Sequence, residues 1–248
     1  MLKVCLVIDV ERFISFKQNN PEWNVLQNLK KILAYLLRGF LYDQRGYENT
    51  YKIICKHRFP VSFMLVGSLF KPLEKKNFID YGYHTYSHKP LTYLPDKKIL
   101  GEIKNIYNAV SFSAPMNLID DPLKPDRILK MLKKEGYKII IWGGSTIRNK
   151  KNKIVVVPSR KNIVEPKTVE GIKCVYISNL FNDKTPKENI IKMLEEIEQN
   201  SGKESVYCIT THEFSHKDTS NLEYIIKRLI ELKDQGRIKI VNLRDIAK

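Results

Sequence analysis

With 248 residues, 43% of them apolar and 28% charged, the chain can bury one sizeable core and is neither fibrous nor disordered in composition. Its 43 basic against 27 acidic side chains leave a formal charge of +16, which attracts anionic partners such as nucleic acid, phosphorylated or uronic-acid glycans and anionic membrane surfaces. A general bias toward lysine produces the same excess. No run approaches the roughly 18 consecutive apolar residues of a membrane-spanning helix, so no transmembrane segment is expected.

From its start, "LKVCLVID" reads as a first strand whose apolar run stops at Asp9 without the small-residue cleavage site of a signal peptide, which makes the cytoplasm the default location. A helix is expected over 23–42, where Leu26, Leu29, Leu33, Leu36, Leu37 and Phe40 recur at steps suited to one face, with Lys30, Lys31 and Arg38 off that stripe. Such a stripe packs on the domain, or, in the sharper alternative, on a membrane surface or a second copy. Further strands are expected near 60–66, 77–83, 110–114, 138–142, 172–178, 205–210 and 237–242. The helices between them fall at 47–56, 97–108, 123–135, 186–200 and 220–235. This alternation is that of parallel βα units, in a barrel or a doubly wound sheet, and the length suits one domain over 1–248. Two segments depart from it: a helical insertion near 12–45 and a basic excursion near 148–167, with seven basic residues against Glu165 alone, read as a solvated hairpin. The cysteines, Cys5, Cys55, Cys174 and Cys208, lie far apart in apolar runs and read as free thiols.

"DYGYHTYSHKPL" places His84 and His88 at i and i+4, a spacing that on one helical face aims both imidazoles at a single ion. Two packing or surface histidines satisfy the same spacing. In "LVIDVERF", Asp9 and Glu11 are separated by one residue and leave the same side of an extended segment. A carboxylate is a natural third ligand beside two histidines, leaving an open position for water, while a solvent-facing strand end is the plainer reading. "VYCITTHEFSH" puts His212, and then His216, after a buried-type strand, the place where barrels gather catalytic groups and also an ordinary place for a loop histidine.

Taken in order, these pieces resemble the polysaccharide deacetylases of the NodB-homology type, carbohydrate esterase family 4. "LVIDVE" is similar to that family's first motif in a D-x-D/E form, and "FPVSFMLVG" to its second-strand signature. "YGYHTYSHKPL" is similar to its H-[ST]-x-x-H metal motif, "FSAPMN" to its third motif, and "ITTHEF" to its last. The resemblance spans nearly the whole chain and implies an irregular, TIM-like (β/α) barrel.

It also implies a metal-dependent hydrolase that removes the N-acetyl group from a sugar in a glycan or a carrier-linked saccharide, the substrate being anionic or lipid-linked in one version. A divalent metal, Zn2+ by preference, would be held by Glu11, His84 and His88, with Asp9 as general base and His212 as general acid. The Met116 backbone N–H beside Pro115 would face the oxyanion, and Trp142 would contact substrate. Two positions depart from the family pattern. Ser113 stands where the third motif carries arginine, and the aspartate that orients the acid histidine has only the distant candidate Asp183. The alternatives are a weakened or inactive relative acting as a glycan-binding protein, a deformylase or other small-amide hydrolase, and a nucleic-acid-binding protein. The last has no stacking-aromatic or recognition-helix pattern to support it.

Overall fold

The computed structural model describes residues 1–11, 45–92, 94–115, 119, 126–142, 144–148, 154–158, 163, 165–182, 184–212 and 218–248. The helix expected over 23–42 and nearly all of the insertion near 12–45 lie outside them, as do Met116, Asp183 and His216. In chain order the elements are β1 (Leu2–Val10), α1 (Arg45–His57), β2 (Val61–Leu65), β3 (Ile79–Tyr83), α2 (Asp96–Ile103), β4 (Ser111–Ser113), α3 (Arg127–Lys134) and β5 (Ile139–Trp142). They continue with β6 (Gly144–Arg148), β7 (Ile154–Pro158), β8 (Lys167–Val169), β9 (Ile172–Leu180), α4 (Lys187–Gln199), β10 (Val206–His212), α5 (Ser220–Asp234), β11 (Ile238–Val241) and α6 (Leu243–Ala247).

Seven parallel strands run in the order β10-β1-β2-β3-β4-β5-β9, and β9 pairs again with β10. That closure makes the sheet an irregular (β/α) barrel rather than a doubly wound sheet. The irregularity is concentrated at β1, whose Leu2–Cys5 half pairs with β11 while its Leu6–Val10 half pairs with β2. On β9, the antiparallel strand β8 occupies the first residues and β10 the last ones.

The strands form here because their residues are apolar on both faces, as a parallel sheet covered by helices requires. In β1, Leu2, Val4, Leu6, Ile8 and Val10 face the layer under α1, α4 and α5. Cys5 and Val7 face the barrel interior, with Met64, Ile139, Ile141, Val175 and Cys208. Fully burying each aliphatic side chain of this kind contributes about 1.5–3 kcal/mol. The barrel's N-terminal end is closed by α6, whose Leu243 and Ile246 join the interior cluster. Beside that plug Asp80 accepts hydrogen bonds from Ser62 Oγ (3.0 Å) and Ser111 Oγ (2.7 Å), and Ser62 Oγ accepts one from the Leu243 N–H (2.8 Å). Period-two alternation puts Asp9 on the same inward side as Cys5 and Val7, at the opposite, C-terminal mouth.

The expected helix over 97–108 ends at Ile103. Asn105 replaces its last turn: its side chain accepts from the Ala109 N–H and donates to the Ala109 carbonyl, both at 2.8 Å. Such side-chain bonds compete with helical ones. Within the basic excursion, β6 and β7 pair antiparallel from Gly144↔Pro158 to Arg148↔Ile154, so a hairpin is present; Lys150, Lys151 and Lys153 lie outside the described residues. Gly136 and Gly236, each just past a helix, have φ of 90° and 72°, the left-handed conformation that glycine adopts without penalty. All four cysteines are free.

Candidate metal centre

The C-terminal ends of three strands supply the site. β1 delivers Asp9 and, one step beyond the strand, Glu11, while β3 runs into the turn that bears His84 and His88. β10 ends at His212, which lies in register with Asp9 on the adjoining strand. The turn after β3 is not a helix. The His84 N–H still donates to the Leu65 carbonyl (2.8 Å), continuing the strand pairing, and the Gly67 N–H donates to the Thr85 carbonyl (3.0 Å). Thr85 and His88 then adopt left-handed φ values of 59° and 58°. A helix here would have to begin inside a strand's hydrogen bonds and stop at Lys89, which precedes Pro90 and is disfavoured from helical geometry. The tight turn nevertheless brings the two imidazole rings to 5.1 Å between centroids.

Glu11, His84 and His88 each offer one ligand atom, and these atoms lie within 4.8 Å of one another. Glu11 Oε2 is 2.9 Å from His84 Nε2 and also contacts His88 Nε2; its other oxygen is 3.5 Å from His212 Nε2. Asp9 Oδ1 approaches His84 Nδ1 at 3.7 Å without a hydrogen-bond partner, although Asp9 is only 4% exposed. One carboxylate oxygen and two imidazole nitrogens, buried and convergent, form the donor set of a zinc-type site, so these residues fit a divalent cation.

The charges follow from burial and from this crowding. Burial raises the Asp9 carboxyl above its usual range, against the pull of His84 and His212. For Glu11 burial also pushes upward, but hydrogen bonds and positive charge from His84 and His88 prevail and hold it well below the usual range. His84 is pushed down by burial and, more strongly, up by Asp9 and Glu11 together. The site therefore keeps Glu11 as an anionic ligand while a second carboxylate beside it resists ionisation.

The remaining site residues predicted from sequence come from the ends of β4 and β5, and the backbone of Ser113 hydrogen-bonds His84. Pro115 follows β4 and is buried, as is Ser113 at that strand's end. Trp142 packs on the outer cluster formed with α2 and α3, and its ring stacks on Tyr176 at 6.0 Å. A residue that sequence reasoning missed is Glu102, a carboxylate on the buried face of α2 only 7% exposed. Its position beside Ile99 and Ile103, on an otherwise apolar stripe, was the available signal.

No family profile matches the chain, and no curated protein matches it in sequence. Solved structures do. A candidate polysaccharide deacetylase from Mycobacterium smegmatis superposes with a TM-score of 0.59 at 13% identity, covering 99% of this chain and 88% of that one. Puue allantoinase gives 0.55 at 9% identity, covering 99% and 89%. A mutant of BA3943, a pseudoenzyme of carbohydrate esterase family 4, gives 0.51 at 14% identity, covering 99% and 67%. At these identities the likeness is one of fold, and the fold of this chain is the irregular (β/α) barrel of the NodB type of polysaccharide deacetylase.

Proposed function

We propose that the chain is a metal-dependent carbohydrate N-deacetylase that hydrolyses the N-acetyl amide of a sugar unit in a glycan or a carrier-linked saccharide. The observation that carries this reading is the convergence of Glu11, His84 and His88 beside the register pair Asp9 and His212. A divalent cation, zinc by preference, supplies Lewis acidity in such a site. Glu11 and the two histidines hold it. Asp9, made more basic by burial, accepts in its ionised form a proton from the attacking water as the water oxygen bonds to the acetyl carbon. His212, on the neighbouring strand, gives a proton to the sugar nitrogen as the carbon–nitrogen bond breaks, and acetate and a free amine leave. Burial of Asp9, Glu11 and His84 limits bulk water at the reacting atoms.

Acetate release from a panel of N-acetylated sugars and carrier-linked saccharides, with chelator and after zinc is restored, tests the reading. Release that chelator abolishes and zinc recovers is the expected result. A second reading rests on Ser113, a small neutral side chain at the end of β4 where the resembling enzymes place arginine. Under it the chain binds zinc and an N-acetylated glycan without turnover, and the same panel gives binding but no acetate.

A further inference from the structure

The two histidines ride on a turn whose backbone is costly to hold. Thr85, a β-branched residue, and His88 both have left-handed φ, so surrounding structure must impose the conformation. We propose that Glu102 of α2 is the positioning residue that imposes it and thereby sets the spacing of His84 and His88; this rests on the metal-site reading above.

Three consecutive hydrogen bonds tie the turn to this one residue. The Ser87 N–H donates to Glu102 Oε2 at 2.7 Å, and Ser87 Oγ donates to Glu102 Oε1 at 2.5 Å. The Tyr86 N–H donates to the Glu102 backbone carbonyl at 2.7 Å. That carbonyl lies in the last turn of α2, where carbonyls have no intrahelical partner and are available to another segment. Lys89 Nζ, 3.6 Å from Glu102 Oε1, adds an ion pair from the far side of His88. The residues between the two ligands are thus held by both carboxylate oxygens and the carbonyl of a side chain and backbone that never reach Glu11. The helix itself is fixed by Ile99 and Ile103 in the cluster with Tyr83 and Phe112, so the anchor is rigid. Hydrogen bonds from N–H and O–H to a buried carboxylate are charge-assisted and directional, which suits a clamp better than an exposed ion pair does.

A positioning role predicts a loss in metal affinity, of a size typical for residues that orient ligands, about 10- to 100-fold. The experiment is zinc affinity by competition with a chromogenic chelator, together with thermal unfolding of the metal-stripped proteins. Glu102→Ala is expected to bind zinc more weakly by that factor. Glu102→Gln, whose amide can accept from the Ser87 N–H and donate to Ser87 Oγ, is expected to bind close to wild type. Ser87→Ala approaches the clamp from the partly exposed turn and reports even if Glu102→Ala fails to fold; it is expected to weaken zinc binding to a smaller extent. Wild-type zinc affinity in Ser87→Ala and in folded Glu102→Ala, with only the stripped protein's unfolding temperature lowered, would make Glu102 a stability residue and overturn the proposal. Absence of zinc binding by the wild type would instead remove the metal-site reading itself.

Discussion

Asp9 and His212 are register partners across the β1–β10 pair, so two groups 203 positions apart in the chain stand side by side at the barrel mouth. A carboxyl and an imidazole on adjoining parallel strands flank whatever occupies the space before Glu11, and the proposed function makes the first a proton acceptor and the second a proton donor. Asp9→Asn preserves shape and removes the acceptor, and His212→Ala removes the donor. Each is expected to lower kcat for N-acetyl hydrolysis by about two to four decades, the usual worth of a positioned acid or base. Zinc content, measured on the same samples, should stay near that of the wild type. Wild-type turnover in either variant would remove that residue from the reaction.

Metal content separates the ligands from their neighbours. Elemental analysis of zinc-reconstituted protein is expected to give close to one ion per chain, falling sharply in His84→Ala and His88→Ala. His88 is the cleaner test, since His84 is 1% exposed and its removal also leaves a hole in the site. Chelation should lower the unfolding temperature of the wild type, because a ligand that binds only the folded state stabilises it by mass action. An unfolding temperature indifferent to both chelator and zinc would contradict a bound ion.

Asp80 supplies a pH dependence remote from the candidate metal centre. Burial raises its carboxyl above the usual range, and hydrogen bonds from Ser111 and Ser62 and the charge of Arg244 only partly offset this. The folded state therefore keeps this proton to higher pH than the unfolded chain does. Its stabilising contribution is complete below the unfolded value and is lost as pH rises through the folded one. Asp80→Asn, neutral at every pH, should gain in unfolding temperature relative to wild type as pH is raised from about 4 toward 8. A difference between the two proteins that stays constant over that range would show the carboxyl to be uncoupled from folding.

Gly82 lies two residues before His84 in β3, where an added Cβ would come within 2.5 Å of Ser111 Oγ and would also meet the Met64 side chain. Gly82→Ala is expected to cost about 1–3 kcal/mol of stability, the range for an overfilled interior, in denaturant unfolding. The same displacement should reach His84 and weaken zinc binding.

The parallel βα alternation was legible because its strands are buried on both faces and read as short apolar runs separated by amphipathic helices, a pattern that left a barrel and a doubly wound sheet open until the resemblance favoured the barrel. "KVCLVIDV" and "VYCITT" carry that pattern with no competing helical period. The spacing of His84 and His88 was informative for a reason other than the one it suggested. Four residues return a chain to the same side in a tight turn as they do in a helix, and here left-handed Thr85 and His88 make the turn. Local pattern could not announce the end of α2, decided by Asn105 reaching Ala109, nor that Glu102 meets Ser87, a contact between segments that no periodicity relates. The short α6 announces itself only by Asn242, which caps it by accepting from the Asp245 N–H.

The double partnership of β1 has a consequence for how the molecule is made. The strand that carries Asp9 emerges during synthesis well before its partners, for one of its edges is covered by Val206–His212 and half of the other by Ile238–Val241. Until those late segments arrive, an apolar strand waits with open edges, and such pairings at long sequence separation are slow to form and prone to aggregation meanwhile. Shortening the chain from its far end would therefore strip β1 of β11 before touching any residue of the candidate metal centre, and then of β10 together with His212.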